Sequence, residues 1–235
     1  MGEVLASNAK ELSQQKWILI GHGDWESGIK TSNPLEPGVY MPLCQRDIDV
    51  FKPACVFLGH IHKPFDEGYL CYPGSPCGVD ISETGKRRFL VFDTKTLRTE
   101  IHQVDTNVIY FVETISILPL VDEENYLRSR IKNIIQSWGI TEIEKEKVRI
   151  RIKIRGYSSD IRQLKQIVQE EFKGFTYCDG EDVDLSDVFL SDNLDLEIIA
   201  REAANKIQEI WSSGVLSPTY DDILFHALKT IYGGK

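Results

Sequence analysis

The stretch Val56–Pro64 constrains the fold of this chain more than any other part of the sequence. An apolar run with strand propensity leads to Gly59, and Pro64 ends the ladder because it lacks a backbone N–H. On an extended backbone, His60 and His62 present their imidazoles on the same side. Neutral imidazoles are common metal ligands, so the stretch predicts a metal site at a strand end. The alternative is a pair of hydrogen-bonded histidines without a ligand role.

A second stretch, Trp17–Asp24, repeats this order of an apolar strand, a glycine and a histidine. Two parallel strands that end side by side would place His22 next to His60 and His62. Ligand sites of open α/β sheets lie at such carboxyl ends. The segment Tyr72–Pro76 is a rigid turn that would return the backbone to the same edge. The sequence therefore predicts that three histidines meet at one edge of a sheet.

These motifs together resemble the last motifs of calcineurin-like metallophosphoesterases, most closely those of SbcD-type DNA repair exonucleases. The resemblance implies a nuclease, a hydrolase that cleaves DNA phosphodiester bonds with two metals, usually Mn²⁺. Histidine and carboxylate ligands also suit Fe²⁺ or Zn²⁺. The resemblance further implies that His22 and His60 bind one metal and that His62 binds the other. The matching segments are Gly21-His22-Gly23, Met41-Pro42-Leu43, Arg46-Asp47-Ile48-Asp49, Gly59-His60-Ile61-His62-Lys63-Pro64 and Tyr72-Pro73-Gly74-Ser75.

The motifs of the family's first half are absent from this sequence. Asp-x-His, Gly-Asp-x-x-Asp and Gly-Asn-His do not occur, and the segment that begins at Gly23 has Ser27 where the last aspartate belongs. The resemblance thus covers only the C-terminal portion of such an enzyme, without the bridging carboxylate and the acid histidine. No catalytic residue is assigned. We expect the chain to be inactive alone and to need a polypeptide with the missing half, or to self-associate as a homo-oligomer.

The predicted fold class is α/β, in three parts. Residues 1–105 would form the C-terminal portion of a metallophosphoesterase β-sandwich with flanking helices, including a hairpin of Lys86–Asp93 and Leu97–Val104. Residues 106–190 would form a small α+β capping domain, as in SbcD-like nucleases, and residues 191–235 a helical segment. Further helices are expected over Val4–Gln15, Arg46–Phe51, Asp122–Trp138, Leu194–Trp211 and Tyr220–Tyr232, and one more helix is expected to be capped by Ser158 or Ser159 and to end at Phe172. Further strands are expected over Val108–Leu118, Val148–Arg155 and Phe175–Tyr177. The segment Asp179–Asp184 is expected to be an acidic solvated loop.

The strand over Val148–Arg155 alternates between apolar and cationic residues without exception. Neighbouring cations on one face lie about 6.6 Å apart, which roughly matches the phosphate spacing along one DNA strand. The chain has a net charge of -9, so attraction to nucleic acid would have to come from such a local patch. This face predicts a DNA-binding stripe, and the alternative is the solvated face of a half-exposed strand. Its members are Arg149, Arg151, Lys153 and Arg155.

We expect the apolar set of the last helices to exceed what a small capping domain can cover. By the resemblance, this set predicts docking of an SMC-type ATPase of the SbcC kind. Its members are Ile199, Ala203, Ile207, Ile210 and Trp211.

The five cysteines include no Cys-x-x-Cys pair, which indicates a reducing, intracellular setting. The first residues contain no apolar signal core, so we expect a cytoplasmic protein without a membrane partner.

Three functions remain open from the sequence. The first is a DNA repair exonuclease that works when joined to its missing half. The second is a non-catalytic subunit that binds DNA or an ATPase. The third is a phosphoesterase that acts on small nucleotides or phosphoproteins, and the capping domain with its basic strand argues against it.

Overall fold

The computed structural model describes residues 1–26, 39–120, 122–191, 193–210 and 219–233. It divides into two compact units, Met1–Val108 and Ile109–Lys235. Helices and sheets occur in both units, so the α/β class is confirmed. The division lies close to the predicted boundary at residue 105, and the second unit includes the described helices of the predicted C-terminal segment. None of the helices in the described ranges is long and apolar enough to cross a membrane.

The first unit is built around a four-stranded sheet of order β1-β2-β4-β3. The strands are parallel except for the antiparallel β3–β4 pair, and β5 with β6 forms the predicted hairpin. The predicted N-terminal helix is interrupted at Asn8, and β3 is an additional strand. The elements are α1 (Gly2–Ser7), α2 (Ala9–Leu12), β1 (Leu19–His22), α3 (Gln45–Phe51), β2 (Val56–Gly59), β3 (Phe65–Glu67), β4 (Leu70–Tyr72), β5 (Arg88–Asp93) and β6 (Arg98–Gln103).

The sheet of the first unit has one buried face, and the hairpin covers part of the other face, where Phe57 packs on Phe92. Val56 and Leu58 are buried in a core that also contains Leu5, Trp25 and Ile48. On the other face, Ile20 of the edge strand β1 is 75% exposed. It borders a groove of about 550 Å³ whose lining is mainly apolar. The described residues therefore leave an unpaired strand edge beside apolar surface. The apolar lining includes Ile18, Ile20, Phe57, Phe89, Leu90 and Phe92.

The second unit is a parallel sheet of order β10-β8-β7, with the short strand β9 also paired to β8. The predicted alternation along β8 is confirmed, because its isoleucines and Val148 are buried. β10 is an additional strand, and it begins at the end of the segment predicted to be an acidic loop. The elements are β7 (Ile109–Ile117), α4 (Glu123–Ser137), β8 (Val148–Ser158), α5 (Ile161–Glu171), β9 (Thr176–Tyr177), β10 (Asp184–Leu190), α6 (Leu194–Ile210) and α7 (Tyr220–Ile231).

The cap of α5 differs from the prediction of Ser158 or Ser159. The carboxylate of Asp160 accepts hydrogen bonds from the backbone N–H groups of Arg162 and Gln163. A carboxylate at this position satisfies free N–H groups and interacts favourably with the helix dipole. Ser158 instead donates its hydroxyl to Glu123 of α4, so it links the strand β8 to a neighbouring helix.

The helix α7 is tied to the sheet of the second unit by two adjacent aspartates at its start. Asp221 accepts hydrogen bonds from the backbone N–H of Ser116 at 2.6 Å and from Arg130 at 2.7 Å. Asp222 accepts one from Arg155 at 2.7 Å. Helices α6 and α7 also share a buried apolar cluster with residues of the sheet. These contacts explain why the C-terminal helices belong to the second unit.

Candidate metal centre

The parallel pairing of β1 and β2 brings two of the predicted histidines together. His22 lies opposite Gly59 in the register, so the residue that follows Gly59 stands beside His22. The centroids of the His22 and His60 rings are 5.4 Å apart, and the ring planes are inclined by 70°. The prediction that parallel strand ends join these two side chains is confirmed.

The backbone at His60 departs from the predicted extended conformation. β2 ends at Gly59, and His60 has a φ of 92°. The expectation of an extended segment through His62 is therefore wrong. A non-glycine residue in this region costs about 1–3 kcal/mol and persists only where the surrounding structure enforces it. Such strain concentrates at functional sites, and here it occurs at a candidate ligand.

Asp24 and Tyr40 surround the His60 ring. Asp24 Oδ1 lies 3.7 Å from His60 Nε2, and Asp24 Oδ2 accepts a hydrogen bond of 2.6 Å from the backbone N–H of Tyr40. The Tyr40 ring stacks on His60 at 5.1 Å and makes an edge contact with His22 at 5.8 Å. Sequence reasoning missed Tyr40, because no motif around this residue indicates that it contacts the histidines. The carboxylate of Asp24 thus faces His60.

His62 contacts a different part of the first unit. Its Nδ1 lies 2.6 Å from Glu83 Oε1, and its side chain is 61% exposed. No ring contact joins His62 to His22 or His60 in the described structure. His22 and His60 thus form one adjacent pair, and His62 has a carboxylate partner of its own. Nothing in the sequence motifs pointed to Glu83.

The carboxylate of Glu83 is held by several donors. Burial alone would raise its pKa, but hydrogen bonds from the Ser75 hydroxyl, the His62 ring and the Val79 backbone N–H outweigh burial. The pKa of Glu83 therefore lies below its ordinary value. The group is a carboxylate at neutral pH, and it accepts hydrogen bonds at both oxygens.

The turn at Tyr72–Pro76 returns the backbone to His62, as predicted. The backbone N–H of Ser75 donates to the carbonyl of His62 at 3.0 Å. Gly74 has a φ of 82°, and an added Cβ there would lie 2.8 Å from His62 O. Arg87 donates from Nη1 to the same carbonyl at 3.0 Å. Arg87 is only 2% exposed, so a buried guanidinium fixes the backbone of His62.

The donor set fits part of a divalent-metal site. Two adjacent imidazoles provide nitrogen ligands that suit Mn²⁺, Fe²⁺ or Zn²⁺. The described residues nevertheless contain no group of three or more histidine, cysteine, aspartate or glutamate side chains arranged to hold a metal. Further anionic ligands would have to come from outside these residues, since imidazoles alone do not neutralise a divalent ion.

The four cations of β8 lie on one face, as the alternation predicted, but carboxylates of the same unit pair with three of them. Arg151 makes two hydrogen bonds of 2.8 Å to Glu181. Lys153 lies 2.7 Å from Asp187. Arg155 is bonded to Asp222, and Arg149 donates to backbone carbonyls near its own strand. These pairs reduce the positive potential of the face, which agrees with the alternative of a solvated face. DNA binding by this stripe stays a prediction.

Comparisons with known proteins complete this description. No protein-family model matches the chain, and no curated protein matches it. The likeness to SbcD-type enzymes therefore rests on the motif residues named above.

Proposed function

We propose that this chain is the histidine-bearing portion of an SbcD-type metallophosphoesterase, which hydrolyses DNA phosphodiester bonds with two divalent metals. The observation that carries the proposal is the adjacency of His22 and His60 at the ends of parallel strands, with ring centroids 5.4 Å apart. The strained backbone of His60 supports it, because backbone strain of this kind concentrates at functional sites.

The proposed ligand roles follow the two groups of contacts. His22 and His60 would share one metal, and His62 would bind the other. The separate hydrogen bond of His62 to Glu83 is consistent with a separate role. Mn²⁺ is the proposed ion, and such ions supply Lewis-acid activation of water and of a phosphodiester oxygen. The missing carboxylates would come from a second polypeptide, since this sequence lacks the motifs that carry them.

The exposed edge of the sheet in the first unit supports the need for such a partner. The edge strand β1 ends at His22 and carries the exposed side chain of Ile20. An unpaired strand edge beside an apolar groove is a template for another strand. A strand added there would lie next to the histidine pair, and it would bring its own side chains to the site.

Reconstitution tests the proposed activity. The chain is mixed with a polypeptide that carries Asp-x-His, Gly-Asp-x-x-Asp and Gly-Asn-His, and cleavage of a linear duplex is measured with Mn²⁺. His60→Ala and His62→Ala should each abolish the cleavage without loss of fold. His102→Ala is the matched control, because His102 stacks on Phe89 away from the candidate site. Near-normal activity of either site variant would refute the ligand assignment.

A second candidate function is protein binding through α6. Ile199 is 53% exposed and Ile210 is 79% exposed, which matches part of the predicted apolar set. Trp211 lies outside the described residues. Combined with the neutralised cations of β8, this surface favours a subunit that binds an SMC-type ATPase. Ile199→Asp should weaken capture of that ATPase's coiled coil, whereas Glu202→Ala on the same helix should not. Equal capture by both variants would remove the basis for this function.

A further inference from the structure

The side chain of Glu83 is fixed at both of its oxygens. Oε1 lies 2.6 Å from His62 Nδ1, and Oε2 accepts a hydrogen bond of 2.6 Å from the Ser75 hydroxyl. The backbone N–H of Val79 donates to Oε2 at 3.4 Å. The Glu83 side chain is itself largely buried. The carboxylate therefore has one orientation, and it directs one oxygen at one nitrogen of His62.

The chemistry of this contact determines which nitrogen of His62 carries the proton. A carboxylate only accepts hydrogen bonds, so Nδ1 must be the donor. The neutral ring then keeps its lone pair on Nε2. The His62 side chain is 61% exposed and Glu83 occupies Nδ1, so Nε2 is the ring nitrogen left for a ligand. Carboxylates that hold the second nitrogen of a histidine in this way fix its tautomer and orientation in metal sites.

We propose that Glu83 is a positioning residue for His62, and that it makes Nε2 the ligand nitrogen of this side chain. The inference rests on the proposed function only for the identity of what Nε2 binds. The same cluster also fixes the backbone, since the His62 carbonyl accepts hydrogen bonds from the Ser75 N–H and from Arg87. Ring and backbone of His62 are thus held by one set of neighbours.

The effect of Glu83 should be confined to His62. Asp24 Oδ1 lies 3.7 Å from His60 Nε2, a distance that exceeds that of a hydrogen bond. His22 has ring contacts with His60 and Tyr40. A change at Glu83 should therefore alter one histidine and leave the adjacent pair unchanged.

The test reads the tautomer of His62 directly. Long-range ¹H–¹⁵N spectra of the labelled chain are recorded at about pH 8, where an ordinary histidine is neutral. The wild type should show a protonated Nδ1 and an unprotonated Nε2 at His62. Glu83→Ala should shift the proton towards Nε2, with the signals of His22 and His60 unchanged. An unchanged His62 pattern in Glu83→Ala would overturn the proposal.

Two further variants keep this test decisive. Glu83→Ala leaves the buried Arg87, whose Nη2 lies 3.6 Å from Glu83 Oε2, without its ion-pair partner. The double variant Glu83→Leu with Arg87→Met removes both charges and keeps the volume, and it should show the same proton shift. Glu100→Ala is the matched control, since Glu100 lies 3.5 Å from His102 and not near His62. A shift at His62 in this control would also overturn the proposal.

Titration with Mn²⁺ separates the inference from the proposed function. Paramagnetic broadening of the His62 signals should need about 10–100 times more Mn²⁺ in the Glu83 variants than in the wild type. If Mn²⁺ broadens no histidine of the reconstituted protein, the proposed function fails. The shift in tautomer would still support the positioning role of Glu83.

Discussion

The His22 ring lies against the Cα of Gly59, and an added Cβ at residue 59 would be 2.7 Å from His22 Nδ1. Gly59 therefore lets the imidazole sit directly over the neighbouring strand. We predict that Gly59→Ala displaces this ring and weakens Mn²⁺ binding by the reconstituted protein about 10–100-fold, the range typical of lost ligand positioning. Isothermal titration calorimetry measures this change.

The control for this prediction is a double-mutant cycle. If Gly59→Ala acts by moving His22, the substitution should have no further effect in a His22→Ala background. Additive losses of affinity would show that Gly59 acts through the backbone instead.

The close approach of β8 to β7 at Gly156 gives a prediction about stability. Gly156 has a φ of 124°, and an added Cβ would lie 2.1 Å from the carbonyl oxygen of Ile117. Gly156→Ala should lower the free energy of unfolding by about 3 kcal/mol or more, because strain and overpacking combine. Gly174→Ala is the matched control, since Gly174 has a φ of 101° and no atom within 4 Å of an added Cβ. Urea unfolding should show a clearly smaller loss for the control, and equal losses would contradict this account.

The hydrogen-bonded ion pair of Arg155 and Asp222 predicts that the free energy of unfolding depends on pH. The Arg155 guanidinium, with the Thr219 cap, lowers the pKa of Asp222 from 3.8 to about 2. A carboxyl group with a lowered pKa stabilises the fold above its ordinary pKa, and this stabilisation is lost as the pH falls towards about 2. The wild type should therefore exceed Asp222→Asn in unfolding midpoint at pH 6. The difference should shrink below about pH 4. A constant difference down to pH 2 would exclude this origin.

The paired cations of β8 predict competition between carboxylates and DNA. If this face binds DNA, the reversal of Arg149, Arg151 and Lys153 to glutamate should weaken binding and flatten its salt dependence. The double variant Glu181→Gln with Asp187→Asn removes partner charges, so it should strengthen DNA binding and steepen its salt dependence. Fluorescence anisotropy with a duplex over a range of salt concentrations measures both slopes. Slopes that change in neither variant would identify the stripe as a solvated face.

The exposed face beside β1 predicts self-association of the purified chain. Sedimentation should show oligomers whose fraction rises with concentration, because an unpaired strand edge and apolar groove favour pairing. Ile20→Lys should shift the distribution to monomer. Val79→Lys is the matched control, since Val79 is also exposed but does not line the groove. A strictly monomeric wild type would contradict this expectation.

The isolated chain should also show no Mn²⁺-dependent cleavage of a linear duplex. Robust cleavage that is lost in His62→Ala would contradict this second expectation.

The sequence by itself determined the local elements and the meeting of two histidines. Strict alternation along β8 and the hairpin of β5 and β6 were predictable, because side chains on a strand alternate between a buried and an exposed face. The adjacency of His22 and His60 followed from two similar strand ends, since parallel strands finish at the same edge.

Only the tertiary structure decided the surroundings of those residues. The stacking of Tyr40 on His60 and the hydrogen bond of Glu83 to His62 join residues that are distant in the sequence, and the local pattern around His60 does not indicate its positive φ. The pairing of Arg151 with Glu181 likewise joins residues 30 positions apart. The periodicity of a sequence indicates which face of an element a side chain occupies. It does not indicate which distant group packs against that face, because such contacts form only when the whole chain folds.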